Sequence, residues 1–331
     1  MDFVTTLECI TTLDRNLFSH TLEGHMAGRT SVEFVAGGRG EHCRGWLYEP
    51  HGTGPFPVIV MAHGLGGIKE MRLDAYAQRF CADGYACLVF DYRHFGASDG
   101  SPRQLLDIDR QLQDWSGAIA FARGNSNLRP DQVVLWGTSF GGGHVILSTA
   151  RDRTIAGAIA QCPFTDGVAS LFALNWRSAL KVTALALCDV MLSLVGRAPV
   201  MVPTAGPPGS AALMTAPDAL DGYLALVPDG AAFRNQVTAR FGLNIVRHRP
   251  GRKAGDISCP ILFCVCEADS VAPAGPTKRY ARRAPKGEVR VYRAGHFDIY
   301  VGKDFEQVVA DQLEFLRRHI PTKQGGAHVD L

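Results

Sequence analysis

The sequence predicts an α/β protein: a doubly wound, mostly parallel sheet with an inserted helical cap. Three observations support this fold class. Short apolar runs, typical of strands buried on both faces, alternate with longer segments of helical period. Several of these runs end in glycine-rich turns, as expected where parallel strands pass into helices. The alternation stops after Pro163 and returns near residue 256, which predicts an insertion within one core.

The first half of the chain predicts a hairpin followed by alternating strands and helices. Residues 1–29 show no strand alternation, so we expect an N-terminal arm with a short helix near 11–21. Residues 32–35 and 43–48 flank a glycine-rich turn and predict an antiparallel hairpin. Buried strands are then predicted over 58–62, 86–91, 132–136 and 155–161, and helices over 69–82, 104–123 and from 139 onward.

The second half predicts a cap and then a return to the α/β pattern. Residues 164–255 contain a long apolar helical region, Val168–Val195, a Pro- and Gly-rich linker and predicted helices near 211–226 and 230–241. Arg177 and Lys181 are two basic residues four positions apart in that region. The other side chains of the region are apolar enough to line a cavity or to form the cap core. The core is predicted over 30–163 and 256–321, with strands at 260–266 and 289–292, helices at 276–283 and 304–318, and a tail at 322–331.

Composition limits the partners. The 331 residues are 46% hydrophobic and 20% charged, with 34 Lys and Arg against 32 Asp and Glu and a formal net charge of +2. Neither nucleic acid nor an anionic membrane is indicated by that balance. We therefore expect a small-molecule partner, and a homodimer remains possible.

Cysteine usage and the N-terminus predict the compartment. The nine cysteines form no C-x-x-C pair, which argues against a disulfide framework and for a reducing compartment. Cys264 and Cys266 share one face of a predicted strand, so we expect them to pack there, and we predict no metal site and no cofactor. Residues 1–8 do not resemble a secretory signal, and the apolar stretch Val182–Val195 is interrupted by Asp189 and too short to span a bilayer. A cytoplasmic protein without a membrane span is expected.

The strongest local signal is the stretch 132–143, in which an apolar strand runs into Gly137-Thr138-Ser139-Phe140-Gly141. Glycines beside the serine let the backbone turn sharply, which pushes the Ser139 side chain out at the end of the strand. The helix that follows offers free N–H groups to a developing negative charge. We interpret this G-x-S-x-G stretch as a nucleophile elbow, although the motif alone is a weak signal.

Four motifs in order make residues 31–320 resemble an α/β-hydrolase with a cap domain. They are G-x-S-x-G at Ser139, an H-G-x-G-G turn at His63, the acidic Asp269 after a late strand, and Gly295-His296 before the last helix. The order Ser, Asp, His is the family's own. The resemblance implies the α/β-hydrolase fold, and His94 is a minor departure where the family often has glycine.

The residues also suggest individual roles. A serine hydroxyl needs a base, and His296 is the choice over His144 and His94 because its loop can fold back over the strand ends. Asp269 is expected to orient this imidazole rather than Glu267 or Asp298. The fold implies that the backbone N–H groups of Phe140 and Leu65 form the oxyanion hole. Charged residues after the strand at 86–91, namely Asp91, Arg93 and Asp99, are expected to be structural.

These roles predict a serine hydrolase that cleaves an ester or thioester of a small, apolar substrate through an acyl-enzyme. Ser139 at the elbow argues against epoxide or haloalkane hydrolysis, which would need an Asp nucleophile. Three alternatives stay open: an acyltransferase, for example one that transfers a polyketide or another acyl group to an alcohol or amine, a hydrolase of short peptides, and a binding module without chemistry.

Overall fold

The fold is described from a computed structural model, which covers residues 28–37 and 40–322. The predicted arm lies outside the described residues apart from Gly28 and Arg29, and so does the helix expected near 11–21. Two residues of the predicted hairpin turn and the tail after Thr322 also lie outside them.

One sheet of eight strands forms the centre of the molecule. Its strands are β1 Gly28–Val35, β2 His42–Glu49, β3 Phe56–Ala62, β4 Ala86–Phe90, β5 Leu128–Thr138, β6 Gly157–Gln161, β9 Ile261–Cys266 and β10 Gly287–Tyr292. Their order across the sheet is β1-β2-β4-β3-β5-β6-β9-β10. β1 and β2 pair antiparallel, as the predicted hairpin requires, and β2 pairs antiparallel with β4. The neighbours from β4 to β10 are all parallel, which confirms the predicted fold class.

Five helices flank this sheet. They are α1 Leu73–Ala82, α2 Ile108–Gly124, α3 Phe140–Arg151, α8 Ala274–Ala281 and α9 Gly302–His319. Two of them begin four residues later than predicted. Arg72 has a left-handed conformation before α1, and the Asp107 side chain accepts a hydrogen bond from the N–H of Arg110 and caps α2.

The central strands are buried as their apolar sequences predict. Every residue of β4, β6 and β9 is buried, whereas β10 at the edge alternates between exposed and half-buried positions until its last residue, Tyr292, which is buried. The carboxyl ends of β5, β6 and β9 therefore meet in the interior, and the loops that follow them lie side by side.

Residues 164–255 are less helical than predicted. The expected helix Val168–Val195 is two helices, α4 Gly167–Ala173 and α5 Trp176–Leu194. Leu174 and Asn175 between them are extended, and the Asn175 side chain accepts a hydrogen bond from the N–H of Arg177 and so starts a new helix.

Of two further helix predictions in this segment, one holds only in part and the other was wrong. The stretch 211–226 contains only α6 Ala219–Leu224, because the backbone near Met214 bonds to Thr204 as extended chain. The stretch 230–241 contains no helix but β8 Val237–Thr238, which pairs with β7 Met201–Val202, and α7 Phe241–Ile245 follows it. Tertiary pairing thus overrode local helix propensity.

The insertion is held together by a buried carboxylate. Asp189 on α5 is fully buried and accepts hydrogen bonds from the N–H of Val200 and from the backbone and guanidinium of Arg240. Burial raises the pKa of this carboxyl, but the bonds from Arg240 outweigh burial and hold the pKa below its usual value.

Within the described residues, none of the helices has the length and apolarity needed to cross a bilayer.

Helix α3 packs against the end of β3 with no room for a side chain at Gly141. A Cβ there would lie 2.5 Å from the carbonyl oxygen of His63, and one on Gly142 would lie 2.9 Å from Cβ of Pro163. The glycines after Ser139 therefore allow helix and strands to approach closely.

We predict that Gly141→Ala lowers the free energy of unfolding by about 1–3 kcal/mol, because the new methyl group must displace backbone. Urea denaturation of the two proteins measures the difference. Gly124→Ala is the matched control, since a Cβ at the end of α2 meets nothing within 4 Å and alanine is favoured in helices by about 1 kcal/mol. Equal destabilisation by both changes would contradict the close packing at Gly141.

Candidate active site

Ser139 occupies a strained turn between β5 and α3. Its φ of 55° and ψ of −118° lie where residues other than glycine are rarely found. The N–H of Ser139 donates to the carbonyl of Gln161, 2.9 Å away, and its own carbonyl accepts from the N–H of Phe164 at 2.8 Å. The turn is thus fixed by main-chain bonds to the neighbouring chain segment, with the side chain at the carboxyl end of the sheet.

The structure brings three of the predicted site residues into one hydrogen-bonded line. Nε2 of His296 lies 3.0 Å from Oγ of Ser139, and Nδ1 lies 2.7 Å from Oδ2 of Asp269. The other carboxylate oxygen, Oδ1, accepts from the N–H groups of Val271 and Ala272 at 2.9 and 2.6 Å. The side chains of His296 and Asp269 are 2% and 1% exposed, so the line is shielded from solvent.

The rival acids have other partners. Glu267 is exposed and its carboxylate pairs with Lys278 at 3.1 Å. Asp298 accepts a hydrogen bond from the N–H of Gly295 at 2.7 Å and so shapes the loop before His296.

The rival histidines are also engaged elsewhere. Nε2 of His144 lies 2.8 Å from the side-chain oxygen of Gln111, inside the core. Nδ1 of His94 lies 2.8 Å from the carbonyl oxygen of Pro102 and Nε2 lies 3.1 Å from Arg110. His94 is buried and has a φ of 73°, a backbone conformation that favours the glycine often found there in the family.

The carboxylate controls the charge of the imidazole. Burial disfavours the imidazolium and lowers the pKa of His296, but the adjacent Asp269 carboxylate more than compensates and raises that pKa well above its ordinary value. The site therefore stabilises the positive charge that His296 acquires when it accepts a proton.

Phe140 and Leu65, the two residues predicted to form the oxyanion hole, line the same cavity as Ser139. Phe140 opens α3, and the first N–H groups of a helix have no carbonyl partner within that helix. Leu65 lies opposite in the turn after β3, where its carbonyl accepts a hydrogen bond from the hydroxyl of Tyr223 at 2.8 Å. The turn is tight, since a Cβ on Gly64 would lie 2.9 Å from Cβ of Ser139.

Sequence reasoning missed a buried polar group of side chains behind His296. Cys162, which directly follows β6, places its sulfur within 4.8 Å of ligand atoms of His296 and Asp269. The sulfur also lies 3.6 Å from the hydroxyl oxygen of Thr138, which forms a short hydrogen bond with the hydroxyl of Tyr300. The position of Cys162 at a strand end was the available signal.

Cys162, Asp269 and His296 also form the cluster of the described chain whose donor types suit a metal ion. Asp269 and His296 are already hydrogen-bonded to each other and to Ser139. Both side chains therefore already have hydrogen-bond partners on the atoms that a metal ion would need.

A chain of buried amides connects Thr138, in the polar group behind His296, to the last helix. The indole N–H of Trp136 donates to the side-chain oxygen of Gln312 on α9 at 3.0 Å. The amide nitrogen of Gln312 donates to Gln161 at 2.7 Å, and that of Gln161 donates to Thr138 at 3.4 Å. Helix α9 is thereby fixed against the strands that carry the site.

Two cavities meet at Ser139, one on each side. Cavity A lies towards Phe140 and the insertion, and cavity B lies towards His296; both include Ser139, Leu65 and Met214 in their walls. Cavity A is lined mostly by apolar residues, among them Phe164, Leu174, Leu213, Ile245 and Val271, and cavity B by residues that include His63, Met71, Leu73, Tyr223, Leu226 and Tyr300.

The charged residues after β4 form ion pairs with residues other than the Ser139, His296 and Asp269 line. The ammonium of Lys69 pairs with Asp91 at 2.7 Å, Arg93 pairs with Asp114 at 2.5 Å, and Arg44 pairs with Asp99 at 2.6 Å. These contacts agree with the structural interpretation of Asp91, Arg93 and Asp99.

Comparison with known proteins finds one matching family model and several similar proteins. A family model described as serine aminopeptidase, S33, matches residues 53–304. The quorum-quenching protein AidA of Acinetobacter baumannii (strain MDR-ZJ06) is 56% identical over 281 residues, which cover 85% of this chain and 92% of that protein. The polyketide transferase ATR5 of Stachybotrys chlorohalonatus (strain IBT 40285) is 29% identical over 285 residues, covering 83% and 92%. The crystal structure of the α/β hydrolase GrgF from Penicillium sp. sh18 matches with a TM-score of 0.74 at 27% identity, covering 88% of this chain and 99% of that one.

We predict that Asp269→Asn lowers kcat by about 10⁴-fold, because an amide at this position holds the imidazole of His296 in the wrong tautomer. Steady-state kinetics on one p-nitrophenyl ester measures the loss.

Glu267→Gln and Asp298→Asn are the matched controls, since each removes a nearby carboxylate that does not contact His296. Both should retain most of the activity. A larger loss in Asp298→Asn than in Asp269→Asn would show that the orienting acid is Asp298.

Proposed function

Because the chain belongs to the serine aminopeptidase S33 family of α/β hydrolases, we propose that it is a serine hydrolase of apolar carboxylic esters or thioesters. The observation that carries the proposal is the line from Asp269 through His296 to Ser139, with distances of 2.7 and 3.0 Å. A hydroxyl at a strained turn, a shielded base and a fixed carboxylate together supply an activated nucleophile.

The proposed reaction has two halves. Oγ of Ser139 attacks the carbonyl carbon while its proton passes to Nε2 of His296, and the N–H groups of Phe140 and Leu65 stabilise the oxyanion. His296 then donates the proton to the departing alcohol or thiol, which leaves the acyl group on Ser139. In the second half water gives a proton to His296, its oxygen attacks the acyl carbon, and Ser139 recovers its proton as the acid is released.

The cavity walls favour an apolar ester over a peptide with a free N-terminus. Among the described residues that line cavities A and B, none is an Asp or a Glu. A substrate ammonium group taken out of water needs a negative partner. We therefore rank the hydrolysis of short peptides below that of esters and thioesters, despite the name of the family.

Acyl transfer is the second candidate. The similarity to a polyketide transferase supports it, and so does cavity B, which offers an apolar space next to His296 where an acceptor alcohol or amine would sit. The line from Asp269 through His296 to Ser139 would serve both reactions. The partition between acid and transfer product, measured with rising acceptor concentration, distinguishes the two.

Residues 164–255 are proposed to act as the cap of this site. Leu174, Leu213 and Ile245 from this segment line cavity A above Ser139. A site closed by such a cap excludes water and binds the apolar part of the substrate.

Eight cysteines of the described chain are free thiols, which supports the proposed cytoplasmic location.

We predict that Ser139→Ala abolishes labelling by a fluorophosphonate probe and lowers kcat by about 10³-fold or more, because the nucleophile is lost. In-gel fluorescence and ester kinetics measure both effects.

Ser170→Ala is the matched control, because Ser170 also lines cavity A but makes no contact with His296. It should be labelled like the unchanged protein. Labelling of Ser139→Ala at the original rate would overturn the assignment of the nucleophile.

We predict that kcat/KM rises with acyl length on p-nitrophenyl esters and then levels off when cavity A is full. Each buried methylene contributes at most about 0.8 kcal/mol, or up to roughly fourfold. Leu174→Trp should move the plateau to shorter chains, because Leu174 lines cavity A.

Leu185→Met is the control on the same segment, since Leu185 packs on the core and lines neither cavity A nor cavity B. Flat kinetics from acetate to octanoate, unchanged in Leu174→Trp, would rule out an acyl site in cavity A.

A further inference from the structure

Helix α5 carries an apolar face that remains exposed. Its five large side chains at positions 176, 180, 187, 191 and 194 fall within an arc of about 60° around the helix axis. Trp176 is 66% exposed and Leu194 is 75% exposed, and Phe172 on α4 reaches 85%. The apolar face consists of Phe172, Trp176, Leu180, Leu187, Met191, Leu194 and Val195.

This exposure is not needed to fold the insertion. The opposite side of α5 provides the packing contacts, through Val182, Ala186 and Asp189, all buried. Soluble monomers rarely keep so many large apolar side chains together in water, and such a patch usually marks an interaction surface.

The exposed charges of the chain segment that carries the face have one sign. From Gly167 to Pro217 the chain contains one acid, Asp189, and that acid is buried and paired with Arg240. The basic residues of the same stretch, Arg177, Lys181 and Arg197, are exposed, although the Lys181 ammonium also donates to the carbonyl of Gly209. The exposed charged side chains of this segment are therefore all cationic, although the whole chain has a formal charge of only +2.

We propose that the apolar face of α4 and α5 docks on an anionic lipid surface. An amphipathic helix with an aromatic residue near its end and flanking cations binds such a surface by burying its apolar side and attracting the lipid charge. In a symmetric contact between two copies, the cations of one α5 would instead face the same cations of the other. The second α5 has no exposed acid that could pair with them.

A third cavity lies beside cavity A, on the two helices that carry the face. Cavity C, of about 180 Å³, lies between α4, α5 and α7 and has Leu171 and Thr183, both exposed, in its wall. It shares Leu174, Leu213 and Ile245 with cavity A. A lipid surface that binds α4 and α5 would bring apolar substrates close to cavity C and so to cavity A. This route for substrate rests on the proposed function, but the docking itself does not.

Vesicle binding tests the docking with the full-length protein. Sedimentation with vesicles of phosphatidylglycerol and phosphatidylcholine is compared with sedimentation on phosphatidylcholine alone. We expect binding to the anionic vesicles and a blue shift of the Trp176 emission, since Trp115 and Trp136 are already fully buried and Trp46 is half-buried. The shift should be absent in Trp176→Phe.

The variants separate the apolar and the charged contributions. Leu180→Asn with Met191→Asn should abolish binding, and Arg177→Gln with Lys181→Gln should weaken it roughly tenfold or more at low salt. Val301→Asn is the control, because Val301 is an exposed apolar residue outside the face. Thermal unfolding verifies that each variant is folded, and Ser139→Ala should bind like the unchanged protein.

Other occupants of the face would overturn the proposal. Absence of vesicle binding together with a dimer that Leu180→Asn and Met191→Asn dissociate, seen by light scattering, would assign the face to a second copy. Absence of binding in a monomer whose Trp176 is already shielded from acrylamide would assign it to residues 1–27, which contain four acids, Asp2, Glu8, Asp14 and Glu23, and one arginine, Arg15. Normal ester hydrolysis in either case would leave the proposed function intact.

Discussion

The backbone of Ser139 is the constraint on which the rest of the site depends. A residue with a side chain is held at positive φ only when its surroundings stabilise that conformation, since it is intrinsically unfavourable. Here the stabilisation comes from main-chain bonds to Gln161 and Phe164, which belong to the next strand and the loop after it. Gly64 and Gly141 complete the arrangement, because a side chain at either position would collide with the turn or with the strand beside it.

The other two members of the line depend on the same sheet edge. Asp269 follows β9 and His296 follows β10, and these strands are parallel neighbours. Their loops can therefore bring a carboxylate and an imidazole together at the edge where β5 presents Ser139. Two backbone N–H groups and the imidazole bind the oxygens of this buried side chain, so both oxygens have the hydrogen-bond partners that burial requires.

The sequence predicted the parts of this molecule that follow from local patterns. Continuous apolar runs predicted the buried strands, and the glycines around Ser139 predicted the turn that exposes it. The helices of the insertion were predicted poorly, because pairing between segments near Thr204 and Met214 competes with helix formation. Cys162 and Tyr300 were missed because they meet His296 and Thr138 only when separate strand ends come together. The net charge averages over the whole chain and therefore does not show the acid-poor stretch that carries α5.

The amide chain behind the site links the end of the polypeptide to its middle. Gln312 on α9 donates to Gln161 and accepts from Trp136, so the last helix bridges the strands on either side of the elbow. During synthesis on the ribosome, Ser139 emerges long before His296 and Gln312. A nascent chain that has folded its first six strands therefore has Ser139 without its histidine neighbour and two strands without the amide that bridges them. Premature termination before α9 would release a protein with an incomplete core rather than a shorter enzyme.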